Sequence, residues 1–248
     1  MPDLKISLIT VAYNAQNTIE RCITSVLRQG YKNIQYILID GGSTDNTTQI
    51  INKYKDQIDI FISEPDNGVY DAMNKGIARA TGDVIGTLNA DDYYSDADII
   101  DNVATAFADQ NMNILYGDLD YVDSNGKIIR KWRSGKYKKG IFNFGWMPPH
   151  PTFYCRRKLF EKLGVYKLDY GSAADYELML RFIHLNNTNA YYLNKVMVKM
   201  VIGGISNKNF NNRVQALRFD LKAMRNNNIF LPIMTILFKP LRKIIQFF

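Results

Sequence analysis

An α/β fold, a sheet of parallel-paired strands flanked by helices, is predicted by three features of this 248-residue chain. Apolar strand-like runs alternate with amphipathic helix-like runs through the first hundred residues, the pattern of right-handed crossovers. Polar clusters stand at the ends of three of those runs: Tyr13-Asn14, Asp40-Gly41-Gly42-Ser43 and Asn89-Ala90-Asp91-Asp92. With 46% hydrophobic and 12% aromatic residues, the chain can bury a core, which excludes a disordered protein.

The elements follow in order. Ile6-Ser7-Leu8-Ile9-Thr10-Val11 reads as a buried strand and Thr18 to Arg28 as an amphipathic helix, with Ile19, Cys22, Ile23, Val26 and Leu27 on its apolar face. Ile34 to Ile39 is a second strand. Thr44 or Asp45 can cap the helix that follows, to about Tyr54. Ile60-Phe61-Ile62 is a short strand, Val69 to Ala80 a helix closed by Gly82, Val84 to Leu88 a strand and Asp96 to Asp109 a helix. In open sheets of this kind ligands sit beyond the carboxyl ends of the strands. The three polar clusters lie at such ends, so they can converge on one crevice.

The second half mixes its signals. Ile114 to Tyr116 is strand-like, and Leu119–Val122 with Lys127–Trp132 form a hairpin around Ser124-Asn125-Gly126. A strand is expected around Phe153-Tyr154-Cys155, a helix from Asp175 to His184, a strand from Tyr191 to Ile202 and a basic helix from Asn209 to Arg225. Ile229 to Phe238 is an apolar run too short to span a bilayer. Beyond it Lys239, Arg242, Lys243 and Gln246 recur at helical spacing among Leu241, Ile244, Ile245, Phe247 and Phe248, with Pro240 expected to kink or restart the helix. The tail thus reads as an interfacial amphipathic segment, or else as a helix packed on the protein's own core or on a second copy.

Charge follows the same division. The formal net charge is +7, and residues 195–248 hold ten of the 31 Lys and Arg but one acid, Asp220. Such a tail suits nucleic acid, a phosphorylated substrate or anionic lipid. Cys22 and Cys155 both fall in apolar segments, which fits buried free thiols in a reducing cytoplasm.

Two adjacent carboxylates, Asp91-Asp92, at the end of a short apolar strand repel one another unless exposed or held by a cation. A divalent metal carrying a diphosphate is such a cation, because hard ions take oxygen ligands. Tyr13 can stack a nucleobase or merely pack, and Asp40 can accept from a ring N–H or merely form a turn.

Taken together, Thr10-Val11-Ala12-Tyr13-Asn14, Ile39 to Asp45, Asn74-Lys75-Gly76-Ile77-Ala78, Thr81-Gly82-Asp83 and Leu88-Asn89-Ala90-Asp91-Asp92 resemble family 2 glycosyltransferases of GT-A fold over about residues 4–200. The run from Gly68 to Ile77 is similar to a bacterial subgroup acting on colanic acid and related surface polysaccharides. The resemblance implies a Rossmann-like mixed sheet, with a nucleotide-sugar half at 1–110, an acceptor half at 111–205 and a basic helical extension at 206–248. It implies that Ala12, Tyr13 and Asp40 hold the nucleotide and that Asp71, Asn89 and Ala90 face the donor. Asp91 would ligate Mg²⁺ or Mn²⁺, and Asp92 would support the metal or the sugar. The family's Asp-x-Asp reads Asn89-Ala90-Asp91 here, so its first carboxylate is an amide.

The family's base lies in a Glu-Asp pair opening a late helix, and Ala174-Asp175 stands at that place. Asp175 is the implied base, with an N-cap as its plainer reading and Glu177 as the fallback base. His150, Trp146 and Trp132 are candidates for the acceptor side, and Gly203-Gly204-Ile205-Ser206 for a phosphate-binding nest. No Gln-x-x-Arg-Trp motif of the processive synthases is present, which implies one sugar per encounter.

The implied activity is an inverting, metal-dependent transfer from a UDP-linked sugar to a hydroxyl of a lipid-linked or saccharide acceptor. It would take place at the cytoplasmic face of the membrane, reached through residues 229–248, with no nucleic acid partner. The alternatives are a sugar nucleotidyltransferase, which would carry a Gly-rich basic loop after the first strand, and an inactive carbohydrate- or lipid-binding module.

Overall fold

A computed structural model describes residues 4–202, 210–244 and 246. Strand β1 (Ile6–Ala12) is buried along its whole length and lies inside the sheet, paired in parallel with β2 (Ile34–Asp40) and β4 (Val84–Asn89). Its side chains alternate between two cores. Ile9 and Val11 meet helix α3 (Val69–Arg79) through Ala72, Met73 and Ile77, while Ile6 and Leu8 join helices α1 (Ile19–Leu27) and α4 (Ile99–Phe107) on the other face. Each fully buried Ile or Leu contributes about 1.5–3 kcal/mol.

Among the described residues the sheet has nine strands, in the order β3-β2-β1-β4-β8-β6-β9-β5 with β7 beside β6. Strand β3 (Ile60–Ser63) extends the parallel part. The remainder, β5 (Asp92–Tyr94), β6 (Ile114–Val122), β7 (Ile128–Trp132), β8 (Tyr154–Arg156) and β9 (Ala190–Val201), mixes directions: β8 runs antiparallel to β4 and β6, and β9 parallel to β6. The mixed α/β architecture expected from the sequence is the one observed.

Several local expectations are corrected. Helix α2 (Thr47–Asn52) starts after Asn46, and Asp45 grips the Thr47 N–H instead of capping further along. Gly82 does not stop α3, whose last residue is Arg79. It lets the chain cross β1, since a Cβ there would stand 2.6 Å from the Ser7 nitrogen. The polar end of the Asn89–Asp92 turn itself becomes a strand, β5, paired with β9. A helix α5 (Arg157–Leu163) follows β8, and Arg156 caps α4 by donating to the carbonyls of Phe107, Asp109 and Met112. Helix α6 (Ala174–Met179) continues as a π-helix over Leu180–Leu185.

Helix α7 (Phe210–Asn226) buries Ala223 and Met224 in the core that holds Tyr170 and Tyr176. Helix α8 (Pro232–Ile244) runs through Pro240. The cationic side faces the protein: Lys239 pairs with Asp220 at 2.8 Å and lies 3.6 Å from the Tyr176 ring centroid, and Arg242 donates to the Phe144 carbonyl at 2.7 Å. Thr235 is buried on that side and donates to the Asn143 carbonyl. Phe230, Ile233, Met234, Leu237 and Leu241 are exposed. The polar groups turn inward because carbonyls and a carboxylate await them there. The Gly203–Ser206 nest, Lys208 and the residues 245, 247 and 248 lie outside the described residues.

Candidate active site

The register of the parallel strands brings the polar clusters to one edge. Val11 stands opposite Asn89 and Ala12 opposite Asp40, and the turns beyond are stitched by Ala90 N–H to the Val11 carbonyl and Gly41 N–H to the Ala12 carbonyl. Asn14 takes a left-handed turn at φ 47°, held by Ser43 Oγ at its N–H and by its own side-chain oxygen on Thr44 N–H. Beyond these strand ends opens a cleft of about 710 Å³. One wall is Tyr13, Asn89, Ala90 and Asp91, and another is Val69, Tyr70 and Met73 of α3. The β6–β7 hairpin contributes Leu119, Tyr121 and Trp132, and Met147, His150, Asp175 and residues 200–202 complete it.

Seven of the residues singled out in the sequence therefore line one cavity: Tyr13, Asn89, Ala90, Asp91, Trp132, His150 and Asp175. Tyr13 is 56% exposed, an aromatic ring left open to a ligand. Six others do not line it. Ala12 is buried in the sheet. Asp40 is fully buried and accepts from Gly42 and Ser43 N–H and from the Ser43 and Ser63 hydroxyls, so its carboxylate shapes the 41–43 loop instead of facing a base. Asp71 accepts from Asn67 N–H at 2.9 Å and fixes the entry to α3.

Trp146 is buried, donates to the Ser134 carbonyl and packs edge-on against Phe142 and Tyr116, so no sugar can stack on it. Glu177, the fallback base, is 1% exposed and paired with Arg181 at 2.9 Å, which removes it from proton transfer in the cleft. Trp132 does line the cleft, its ring parallel to Tyr121 at 6.4 Å.

Asp92 lies beneath the cleft wall. Burial, then the neighbouring Asp91 carboxylate, pushes its pKa well up. Burial likewise raises Asp91. Asn89 donates from Nδ2 to Asp92 at 3.1 Å, a bond that a carboxylate at position 89 could not make. The amide thus bonds Asp92, beside which a third acid would add repulsion to that of Asp91. Asn89 Oδ1 and Asp92 Oδ1 are buried without a hydrogen-bond partner. Among the described residues no group of three or more His, Cys, Asp or Glu is placed to hold a metal ion. Asp91 and the two orphaned oxygens are hard donors, the kind Mg²⁺ accepts when substrate phosphates supply the rest of its shell. The residues present fit a divalent cation on those terms.

Asp175 stands in the first turn of α6, two residues after the capping position, which Ala173 occupies without a side-chain bond. Its Oδ1 accepts from Tyr176 N–H at 2.7 Å. Tyr70, Tyr121, His150 and Tyr166 all feel its charge. Burial lowers the pKa of His150, which Asp175 partly offsets, and His150 Nε2 lies 2.7 Å from the Tyr166 hydroxyl. Sequence reasoning passed over Tyr70 and Tyr166. Tyr70 lay inside the Gly68–Ile77 run, where its place in the first turn of α3 was the available signal. Tyr166 carries no local signal: Asn74, 92 residues away, places it by bonding both its N–H and its carbonyl.

Comparison with known proteins gives the family and the fold. The family model described as Glycosyl transferase family 2 matches residues 7–166. An uncharacterized glycosyltransferase of Mycobacterium tuberculosis is 34% identical over 189 residues, covering 71% of this chain and 68% of the relative. Among solved structures, S. aureus TarS 1-349 in complex with UDP-GlcNAc superposes with a TM-score of 0.72 at 17% identity, over 95% of this chain and 70% of that one. The chain spans 43% of a longer TarS structure. The mannosyltransferase PcManGT from Pyrobaculum calidifontis, in complex with GDP-Man and Mn²⁺, gives a TM-score of 0.68 at 17% identity, over 96% of this chain and 72% of that one. At these identities the structural likeness establishes the GT-A fold.

Proposed function

The chain belongs to glycosyl transferase family 2, and on that premise we propose that it transfers one sugar, with inversion, from a UDP-linked donor to a hydroxyl of a lipid-linked or saccharide acceptor in bacterial surface polysaccharide synthesis. The observation that carries this reading is the placement of Asp91 and Asp175 on one cleft at the carboxyl ends of the strands. Tyr13 supports the nucleotide end by offering an exposed ring for base stacking. TarS, crystallised with UDP-GlcNAc, and PcManGT, with GDP-Man, favour a nucleotide-sugar donor here too.

Asp175 accepts the proton of the acceptor hydroxyl, because an alcohol is a weak nucleophile until a base takes its proton. The oxygen then attacks the anomeric carbon on the face opposite the leaving diphosphate, which inverts the configuration. Asp91, with Asn89 Oδ1 and Asp92 Oδ1, would hold Mg²⁺ or Mn²⁺. A divalent ion bound there supplies charge neutralisation for the departing diphosphate. Trp132, stacked on Tyr121, gives the acceptor's sugar ring an aromatic face.

The outward apolar stripe of α8 supports docking on the cytoplasmic face of a membrane, where a lipid-carried acceptor would be met. Among the described residues no helix is long and apolar enough to cross a membrane.

A panel of UDP- and GDP-linked sugars with Mn²⁺ tests the reading. Nucleoside diphosphate release and a product of inverted anomeric configuration are expected. Pyrophosphate release from a nucleoside triphosphate and a sugar 1-phosphate, with no diphosphate released from the panel, would make the protein a nucleotidyltransferase, and wild-type turnover by Asp175→Asn would remove the base assignment. Turnover without metal, unaffected by Asp91→Ala, would remove the metal site.

A further inference from the structure

We propose that helices α7 and α8 form a cradle that positions Asp175, with Lys239 as its principal positioning residue. The proposal rests on Asp175 being the base. Asp175 is the second residue of α6, so the direction of its carboxylate depends on how the chain enters that helix. The entry is an irregular turn at Leu168–Ala173, and Gly171 inside it takes φ 47° and ψ −126°, a conformation that favours glycine. Backbone of this kind persists where its surroundings hold it.

Helix α7 holds it from one side. Phe219 lies so close to Gly171 that a Cβ there would have no room. Lys222 donates to the Asp169 carboxylate at 2.6 Å and to the Asp169 carbonyl at 3.0 Å. Asn226 donates to the Tyr170 hydroxyl at 2.8 Å. Phe219, Lys222 and Asn226 recur at helical spacing, so one stripe of α7 meets three consecutive residues of the turn.

Helix α8 closes the other side. Lys239 Nζ stands 3.6 Å from the centroid of the Tyr176 ring and 2.8 Å from the Asp220 carboxylate on α7. Tyr176 is buried and follows Asp175 directly, and its N–H holds Asp175 Oδ1 at 2.7 Å. One ammonium therefore ties together α8, α7 and the residue that grips the base. Asp175 is braced on both flanks, by 169–171 and by Tyr176, while its own side chain lines the cleft. Fixing the direction of a carboxylate keeps one oxygen aimed at the reacting hydroxyl. The match to the family model stops at residue 166, ahead of every one of these contacts. The exposed apolar residues of α8 take no part in them, so the cradle and the docking face use different side chains of one helix.

Lys239→Met keeps the reach of the side chain and removes its charge, and Lys239→Arg restores a cation. With the donor that the nucleotide-sugar panel selects, Lys239→Met is expected to lower kcat by about tenfold while the donor KM stays within about twofold, and Lys239→Arg to recover most of the loss. Amide hydrogen exchange reads the cradle without any substrate: in Lys239→Met, residues 169–176 should exchange about tenfold faster than in wild type, with α3 unchanged. Wild-type exchange across 169–176 overturns the proposal. Equal acceleration throughout the chain also overturns it, because it marks general destabilisation. So does a Lys239→Arg variant as impaired as Lys239→Met. Asp175→Asn separates the two readings. If that variant is inactive while Lys239→Met matches wild type, the cradle fails and the base stands. If Asp175→Asn is as active as wild type, the base itself fails, and the positioning role with it.

Discussion

Replacing Arg181 by Met should cost this protein a large part of its stability. The guanidinium is nearly buried and does two tasks. It pairs with Glu177, which is itself buried, through Nε and Nη2. It also donates to three consecutive carbonyls, those of Leu163, Gly164 and Val165. Methionine fills much of the same volume but leaves Glu177 with only the half-exposed Lys167, at 3.2 Å. Breaking a buried pair by removing one partner costs about 3–5 kcal/mol, and each carbonyl left unpaired adds about 1 kcal/mol or more where water cannot reach it. Against a total of about 5–15 kcal/mol, the loss is severe.

Urea unfolding followed by circular dichroism, at constant m-value, measures it. The double variant Glu177→Leu/Arg181→Leu is the informative comparison. Exchanging a buried pair for apolar groups is often neutral, yet here the carbonyls of 163–165 stay unsatisfied, so the double variant should recover only part of the loss. A cost for Arg181→Met below about 1 kcal/mol would refute the reasoning, as a value below the range for a broken buried pair. Full recovery in the double variant would show that the carbonyls contribute nothing.

Other outcomes follow from the same geometry. Gly82→Ala places a methyl against the Ser7 nitrogen and the Lys5 carbonyl, both main chain, and should destabilise by about 1–3 kcal/mol in thermal melts. His150 has a folded pKa below its ordinary 6.5, so between the two values the unfolded chain binds the extra proton and stability falls with falling pH. Subtracting the profile of His150→Gln from wild type should isolate a decline beginning near pH 6.5; a flat difference would sink that assignment. Ile233→Glu/Leu237→Glu, both exposed on α8, should lower sedimentation with vesicles containing anionic lipid by tenfold or more at about 1.5–3 kcal/mol per side chain withdrawn from lipid, and leave the melting temperature in place. Unchanged sedimentation would dismiss the docking face.

The parts of the fold that could be read from the chain are those whose signal is local. Ile6–Ala12, Ile34–Asp40 and Val84–Asn89 are apolar runs long enough to announce buried strands, and the clusters at their ends reached one edge because parallel pairing sets them in register. Asp92–Tyr94 was not legible as a strand, since three residues acquire that state only by pairing with Tyr94's distant partner Val198. The site divided in the same way. Asp91 and Asp175 line the cleft, whereas Glu177 and Trp146 do not. The first is captured by Arg181 one turn on, a spacing visible in the sequence, and the second by an aromatic cluster that no spacing reveals. The direction of α8 depended on Asp220, Asn143 and Phe144 offering partners to its polar side, which the helix's own residues cannot disclose.

The clamp of Asn74 on Tyr166 bears on how relatives of this protein can be recombined. The family match ends at Tyr166 itself, so a hybrid joined just after it keeps both members of the clamp from one parent. A junction anywhere between positions 74 and 166 takes them from different parents, and the incoming loop must then offer a main chain that a foreign asparagine can grip. Exchange of acceptor preference between such enzymes is therefore best attempted downstream of 166, where Asp175 and α6 travel as a block while the wall formed by α3 stays with its own loop.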